Sequence, residues 1–138
     1  MQGHAELSVI SPLVVVVDDD QAVRNSLKFS LETEGFAVRA YAGGRDLLMD
    51  WIDFPRDGCL IIDQNMPGMS GLELIARLRE RDVAVRAILM TSHPTATVRK
   101  GAAAAGVRIL EKPFLGNALV EVIRDVCCDP ASAAGSAH

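Results

Sequence analysis

The chain has 138 residues, 49% of them hydrophobic and 23% charged, with a net charge of −4, enough for one domain with a proper core and too little for two. Without clustered Lys and Arg, this acidic balance argues against nucleic acid as a direct ligand. No apolar run reaches the roughly 18 residues of a membrane span, and residues 1–12 lack the charged and apolar regions of a signal peptide.

A flexible leader, 1–12, ends at Pro12. Leu13–Val17 is an aliphatic strand that runs into Asp18-Asp19-Asp20. Asp20 can cap the next helix, whose apolar Val23, Leu27 and Leu31 recur at helical spacing until Gly35 stops it; Asp18 and Asp19 are left without a capping task. Ala37–Tyr41 reads as a second strand, followed by a helix around Leu47, Leu48, Trp51 and Ile52 and a loop through Pro55 and Gly58. The apolar run 59–62 suits a strand buried on both faces, and it delivers Asp63 where the run ends. Met66-Pro67-Gly68 turns the chain. Ser70 and Glu73 then form a capping box for a third helix with Leu74, Ile75 and Leu78 on one face.

Arg86–Thr91 is a fourth strand, and Thr95 caps an alanine-rich helix that runs through Ala105 to Gly106. Residues 107–111 form a fifth strand ending at Lys112-Pro113-Phe114. Leu119, Val122, Ile123 and Val126 make the buried stripe of a last helix, and residues 127–138 read as a tail or linker stump. Alternating strands and helices imply a doubly wound α/β fold: a five-stranded parallel sheet, right-handed crossovers and helices on both faces. The adjacent pair Cys127 and Cys128 with Cys59 offers no disulfide framework, so all three read as thiols and the expected location is the cytoplasm.

Ligands in such sheets bind at the carboxyl edge of the strands. The residues delivered there are Asp18 and Asp19, Asp63, Thr91 and Lys112. Three carboxylates at one edge repel and raise one another's pKa; they call for a cation, and oxygen ligands of this kind suit Mg²⁺. With one ammonium they sum to about −2 at neutral pH, which one divalent ion offsets. Lys112 and the Thr91 hydroxyl can hold phosphoryl oxygens while the Asp63 carboxylate attacks phosphorus, giving an aspartyl phosphate.

In order and spacing, the acidic pair, Asp63-x-x-Met66-Pro67-x-Met69-x-Gly71, Thr91 and Lys112-Pro113-Phe114 resemble the receiver domain of two-component response regulators, over roughly 13–126. The resemblance implies a flavodoxin-like sheet of order 2-1-3-4-5 and Asp63 as the residue phosphorylated by a sensor histidine kinase or phosphotransfer protein. It implies Asp19 as a direct Mg²⁺ ligand, Asp18 as an acid acting mostly through water, and the Asn65 backbone carbonyl as a further ligand. Thr91 and Lys112 would contact the phosphoryl group, and the Lys112-Pro113 bond would be cis. Two departures stand out. Ile109 occupies the position where the family often has Tyr or Phe, and the roughly ten tail residues are too few for an attached output domain. The signal is therefore expected to leave through helix 4, strand 5 and helix 5, towards another protein or a second copy.

An Asp-based phosphatase would want a second Asp two residues after the nucleophile, where this chain has Asn65. A flavin site would need a phosphate-cradling loop after strand one, and the three aspartates there would repel phosphate. A pseudo-receiver would lack one of the site residues. His93 lies two residues past Thr91, close enough to influence water there, and Arg77, Arg79 and Arg81 read as a solvated basic end of the third helix.

Overall fold

The computed structural model describes residues 12–50, 58–81, 85–114 and 116–128. The predicted leader up to residue 11, Trp51, Ile52, the loop residues Pro55, Arg56 and Asp57, and the tail from residue 129 lie outside them. The strands are β1 (Leu13–Val17), β2 (Ala37–Tyr41), β3 (Cys59–Asp63), β4 (Arg86–Thr91) and β5 (Arg108–Glu111). The helices are α1 (Gln21–Thr33), α2 (Gly44–Asp50), α3 (Gly71–Glu80), α4 (Ala96–Ala105) and α5 (Gly116–Ile123), the last continuing as a π-helical turn, Arg124–Cys128. All strand pairs are parallel, in the order β2-β1-β3-β4-β5.

β3 is fully buried along its length, as a central strand covered on both faces must be, and its side chains alternate between two cores. Val15, Val17, Leu60, Ile62 and Leu89 pack with Leu47 of α2, Leu74, Ile75 and Leu78 of α3, and Ala102 of α4. Val14, Val16, Ile61, Ile88 and Met90 pack with Leu27 and Leu31 of α1 and with Leu119, Val120 and Ile123 of α5. The predicted stripe of α5 is thus correct at Leu119 and Ile123, while Val122 and Val126 are only partly buried and Val120 is a core residue beyond it.

Helix ends follow the capping chemistry. The Asp20 carboxylate accepts the backbone N–H groups of Ala22 and Val23. Gly35, at φ +100°, closes α1, with its own N–H returning to the Glu32 carbonyl and that of Phe36 to the Leu31 carbonyl, the paired bonds of a left-handed helix terminus. Val107, expected in the last strand, precedes it: its N–H is drawn back to the Ala102 carbonyl at the end of α4.

Candidate phosphoryl-acceptor site

Register alone brings the acids together. Val17 pairs with Ile62, so the next residue of each strand, Asp18 and Asp63, emerges side by side at the carboxyl edge. Asp63 pairs with Met90, and Thr91 with Glu111, which places Thr91 and Lys112 at the same edge. The Lys112 N–H donates to the Thr91 carbonyl at 2.9 Å, and the Lys112-Pro113 bond is cis.

Carboxylate oxygens of Asp18, Asp19 and Asp63 lie within 4.8 Å of one another. Asp18 is 0% exposed, Asp63 6% and Thr91 1%, so three of the polar groups predicted from sequence are withdrawn from water while Asp19 stays exposed. Lys112 Nζ lies 3.3 Å from Asp18 Oδ2 and 3.5 Å from Asp63 Oδ2. Burial pushes the Asp63 pKa up; the Asn65 N–H on Oδ1 and the Lys112 ammonium oppose the shift, and the Asp18 charge adds to it. One ammonium does not offset three carboxylates, two of them buried. This donor set fits a hard divalent cation with oxygen ligands.

Asp18 caps no helix, as expected, but its loop holds it firmly. Its N–H donates to the Tyr41 carbonyl, its own carbonyl accepts from Arg24 Nη1 at 2.7 Å, Oδ1 accepts the Asp20 N–H at 2.9 Å and Oδ2 faces Lys112. Arg24 was not singled out from sequence; a guanidinium in the first turn of a helix opposes the helix dipole, and that placement is the signal that could have found it. By contrast, nothing among the described residues hydrogen-bonds to the Asp19 carboxylate.

Thr91 Oγ1 accepts from Asn65 Nδ2 and from the His93 backbone N–H, each at 3.3 Å. With both acceptor positions occupied, its own hydrogen is available to donate towards the edge. His93 thus meets Thr91 through its backbone, and its side chain is exposed. Arg79 and Arg81 are exposed, as a solvated basic end requires, and each also reaches a neighbouring helix: Arg79 Nη1 donates to the Ala105 carbonyl at the end of α4, and Arg81 Nη1 donates to the Leu48 carbonyl of α2 at 3.3 Å.

A 2-1-3-4-5 sheet with an acidic cluster, a threonine and a lysine at its carboxyl edge defines the chemotaxis-type class of flavodoxin-like domain. Residues 14–124 match the response regulator receiver domain, and the chain belongs to that family. It is 39% identical over 112 residues to the transcriptional regulatory protein FixJ of Azorhizobium caulinodans, covering 80% of this chain and 53% of that protein. With FixJ of Rhizobium meliloti it shares 37% over 111 residues, 80% of this chain and 54% of that one. The chain thus spans about half the length of these curated relatives. Among solved structures it resembles FixJ-N, with a TM-score of 0.75, 33% identity and coverage of 90% of this chain and 93% of that chain. It also resembles the Vibrio cholerae chemotaxis protein CheY4, with a TM-score of 0.76, 26% identity and coverage of 84% and 98%. Receiver domains of this family are signalling proteins of two-component systems, and among the described residues no helix is long and apolar enough to cross a membrane.

Proposed function

We propose that this chain is a Mg²⁺-dependent phospho-acceptor of a phosphorelay, with Asp63 as the residue phosphorylated by a sensor histidine kinase or phosphotransfer protein. The observation that carries this reading is the approach of the Asp18, Asp19 and Asp63 carboxylate oxygens to within 4.8 Å, with Lys112 Nζ beside Asp63. A bond forms between an Asp63 carboxylate oxygen and phosphorus, the bond from phosphorus to the donor's imidazole nitrogen breaks, and the imidazole takes up a proton from solvent. Lys112 supplies a positive charge for the phosphoryl oxygens, and the Thr91 hydroxyl supplies a hydrogen bond. Asp19 would hold Mg²⁺ directly with Asp63 and the Asn65 carbonyl, and Asp18 would act mostly through water. When bound, the ion offsets charge on the transferring group.

Asn65 stands where a phosphatase would carry its general acid, which supports a domain that accepts phosphate and slowly loses it over an enzyme of rapid turnover. Residues 13–126 would form the receiver, between a leader and a tail or linker stump, in the cytoplasm, with no direct nucleic-acid or membrane contact. Output would leave through α4, β5 and α5 to a downstream protein or a second copy. Exposed Arg99, Lys100 and Arg108 on α4 and β5 favour an acidic partner surface there.

The test is labelling by a small acyl phosphate with Mg²⁺ or with chelator, read as intact mass. The reading expects one added phosphoryl group with Mg²⁺, little with chelator, and strongly slowed labelling in Lys112→Ala. Labelling that ignores both chelator and Lys112 would contradict it.

A further inference from the structure

Gln64 lies between Asp63 and Asn65, and three hydrogen bonds meet on it. Its N–H donates to the Met90 carbonyl at 2.9 Å, its carbonyl accepts the Gly71 N–H at 3.2 Å, and its side-chain Oε1 accepts the Leu72 N–H at 3.0 Å. These bonds close the base of the loop 64–71, joining it to β4 on one side and to the start of α3 on the other. Ser70 Oγ accepts the Glu73 N–H, so the first three donors of α3 are all occupied, two of them by Gln64. The approach is close: a Cβ on Gly71 would lie 2.9 Å from the Asp63 carbonyl oxygen and 3.2 Å from Gln64 Cα. α3 therefore rests on the peptide that follows the acceptor.

The residue fixed by this clamp is Asn65, which gives its N–H to Asp63 Oδ1 at 3.1 Å and its Nδ2 to Thr91 Oγ1 at 3.3 Å. Both contacts need the 65–68 turn in one place, and Gly68 supplies the left-handed backbone of that turn, at φ +84°. A loop with several exposed residues ordinarily samples many arrangements. Here the Gln64 amide, anchored to a helix end, removes that freedom on the side that faces the acceptor.

We infer that Gln64 is a positioning residue for phosphoryl acceptance, acting through Asn65 on the Asp63 carboxylate and the Thr91 hydroxyl. The inference rests on Asp63 being the acceptor. Gln64 itself touches neither the phosphoryl group nor the cation, because its side-chain acceptor is turned to α3.

The experiment uses the whole chain, acetyl phosphate as donor and Mg²⁺ at saturation. Gln64→Met keeps the side-chain length and loses the acceptor; Gln64→Asn, too short to reach Leu72, is a second variant should methionine disturb folding. Ser70→Ala removes a cap of the same kind from the same helix without touching the 64–65 peptide. Gln64→Met should be labelled roughly tenfold more slowly, the scale of a sub-ångström displacement of a reacting group, at a Mg²⁺ concentration shown by calorimetry to saturate each variant. Exchange of the Asn65 backbone amide, followed by NMR, should speed up in Gln64→Met and recover in Gln64→Glu, which restores an acceptor oxygen. Ser70→Ala should be labelled at the wild-type rate. Wild-type labelling of both Gln64→Met and Gln64→Asn, or equal slowing in Ser70→Ala, would overturn the positioning role. Asp63→Asn, run alongside, separates the two failures: if it is labelled like wild type, the acceptor assignment itself is wrong.

Discussion

Asp18 and Asp19 are neighbours in sequence with opposite situations in space. Asp18 is buried with all its polar groups engaged, whereas Asp19 is exposed and has no hydrogen-bond partner among the described residues. A carboxylate already held by its own loop and by Lys112 is poorly placed to turn both oxygens to an ion; a free one can. Asp18→Ala should weaken Mg²⁺ binding by roughly tenfold, as loss of an outer partner does, and Asp19→Ala by more. Calorimetric Mg²⁺ titration of the two variants checks the order, and a larger loss in Asp18→Ala would reverse the assignment. Asp63 is governed instead by its burial. Because burial raises its pKa above the ordinary 3.8, its contribution to stability is fully present below that value and is lost as pH rises through the folded pKa. In metal-free buffer Asp63→Asn, which cannot ionise, should therefore gain stability over wild type as pH climbs from below 3.8 to neutrality. Mg²⁺ should narrow the gap by binding the native wild type. Urea midpoints across that range decide it; a wild type more stable than the variant in metal-free neutral buffer would show that the Lys112 pairing outweighs burial.

The elements hold their places by end chemistry as much as by packing. Asp20, Ser70, Thr95, Gly35 and Gly106 were readable as caps and stops because each acts on residues within one turn, and short-range geometry is what a sequence exposes. Arg24, Gln64, Arg79 and Arg81 were not readable in the same way. Their partners are Asp18, Leu72, Ala105 and Leu48, which the turn of a loop or the packing of another helix brings within reach. Gly71 is an intermediate case: its motif was visible, but its steric reason was not. A Cβ there would meet Leu89 Cδ1 at 2.6 Å and the Asp63 carbonyl at 2.9 Å, and main chain cannot rotate away. Gly71→Ala should thus cost about 1–3 kcal/mol from overpacking, against at most about 1 kcal/mol gained in helix propensity. Gly101→Ala meets only the end of Leu72, at 3.0 Å, and should be near neutral. Urea denaturation of the pair checks this; equal effects would mean that the contact between α3 and the acceptor strand is not tight.

For the whole molecule, the alternation of apolar strands and amphipathic helices was enough for the doubly wound sheet, and the strand order came from the resemblance carried by Asp63, Thr91 and Lys112. What leaves the domain is harder to read. Ile109 is partly buried against the core shared with α4, and its branched β-carbon restricts χ1, so it cannot rotate as a Tyr or Phe at this position could. If output leaves through the 92–95 loop and α4, as proposed, a phosphoryl mimic should change amide exchange over residues 92–106. Protection limited to the Asp18 and Asp63 loops would show that this face does not carry the signal.

Asp63 is proposed to take the phosphoryl group because Asp18, Asp19, Thr91 and Lys112 are gathered around it at the sheet's edge. Intact mass and peptide mapping after incubation with Mg²⁺ and acetyl phosphate test it most directly. Wild type should gain a single phosphoryl group on the peptide containing Asp63, and Asp63→Asn should gain none. Equal labelling of the Asn variant, or a phosphoryl group mapped to any other residue of the wild type, would contradict it.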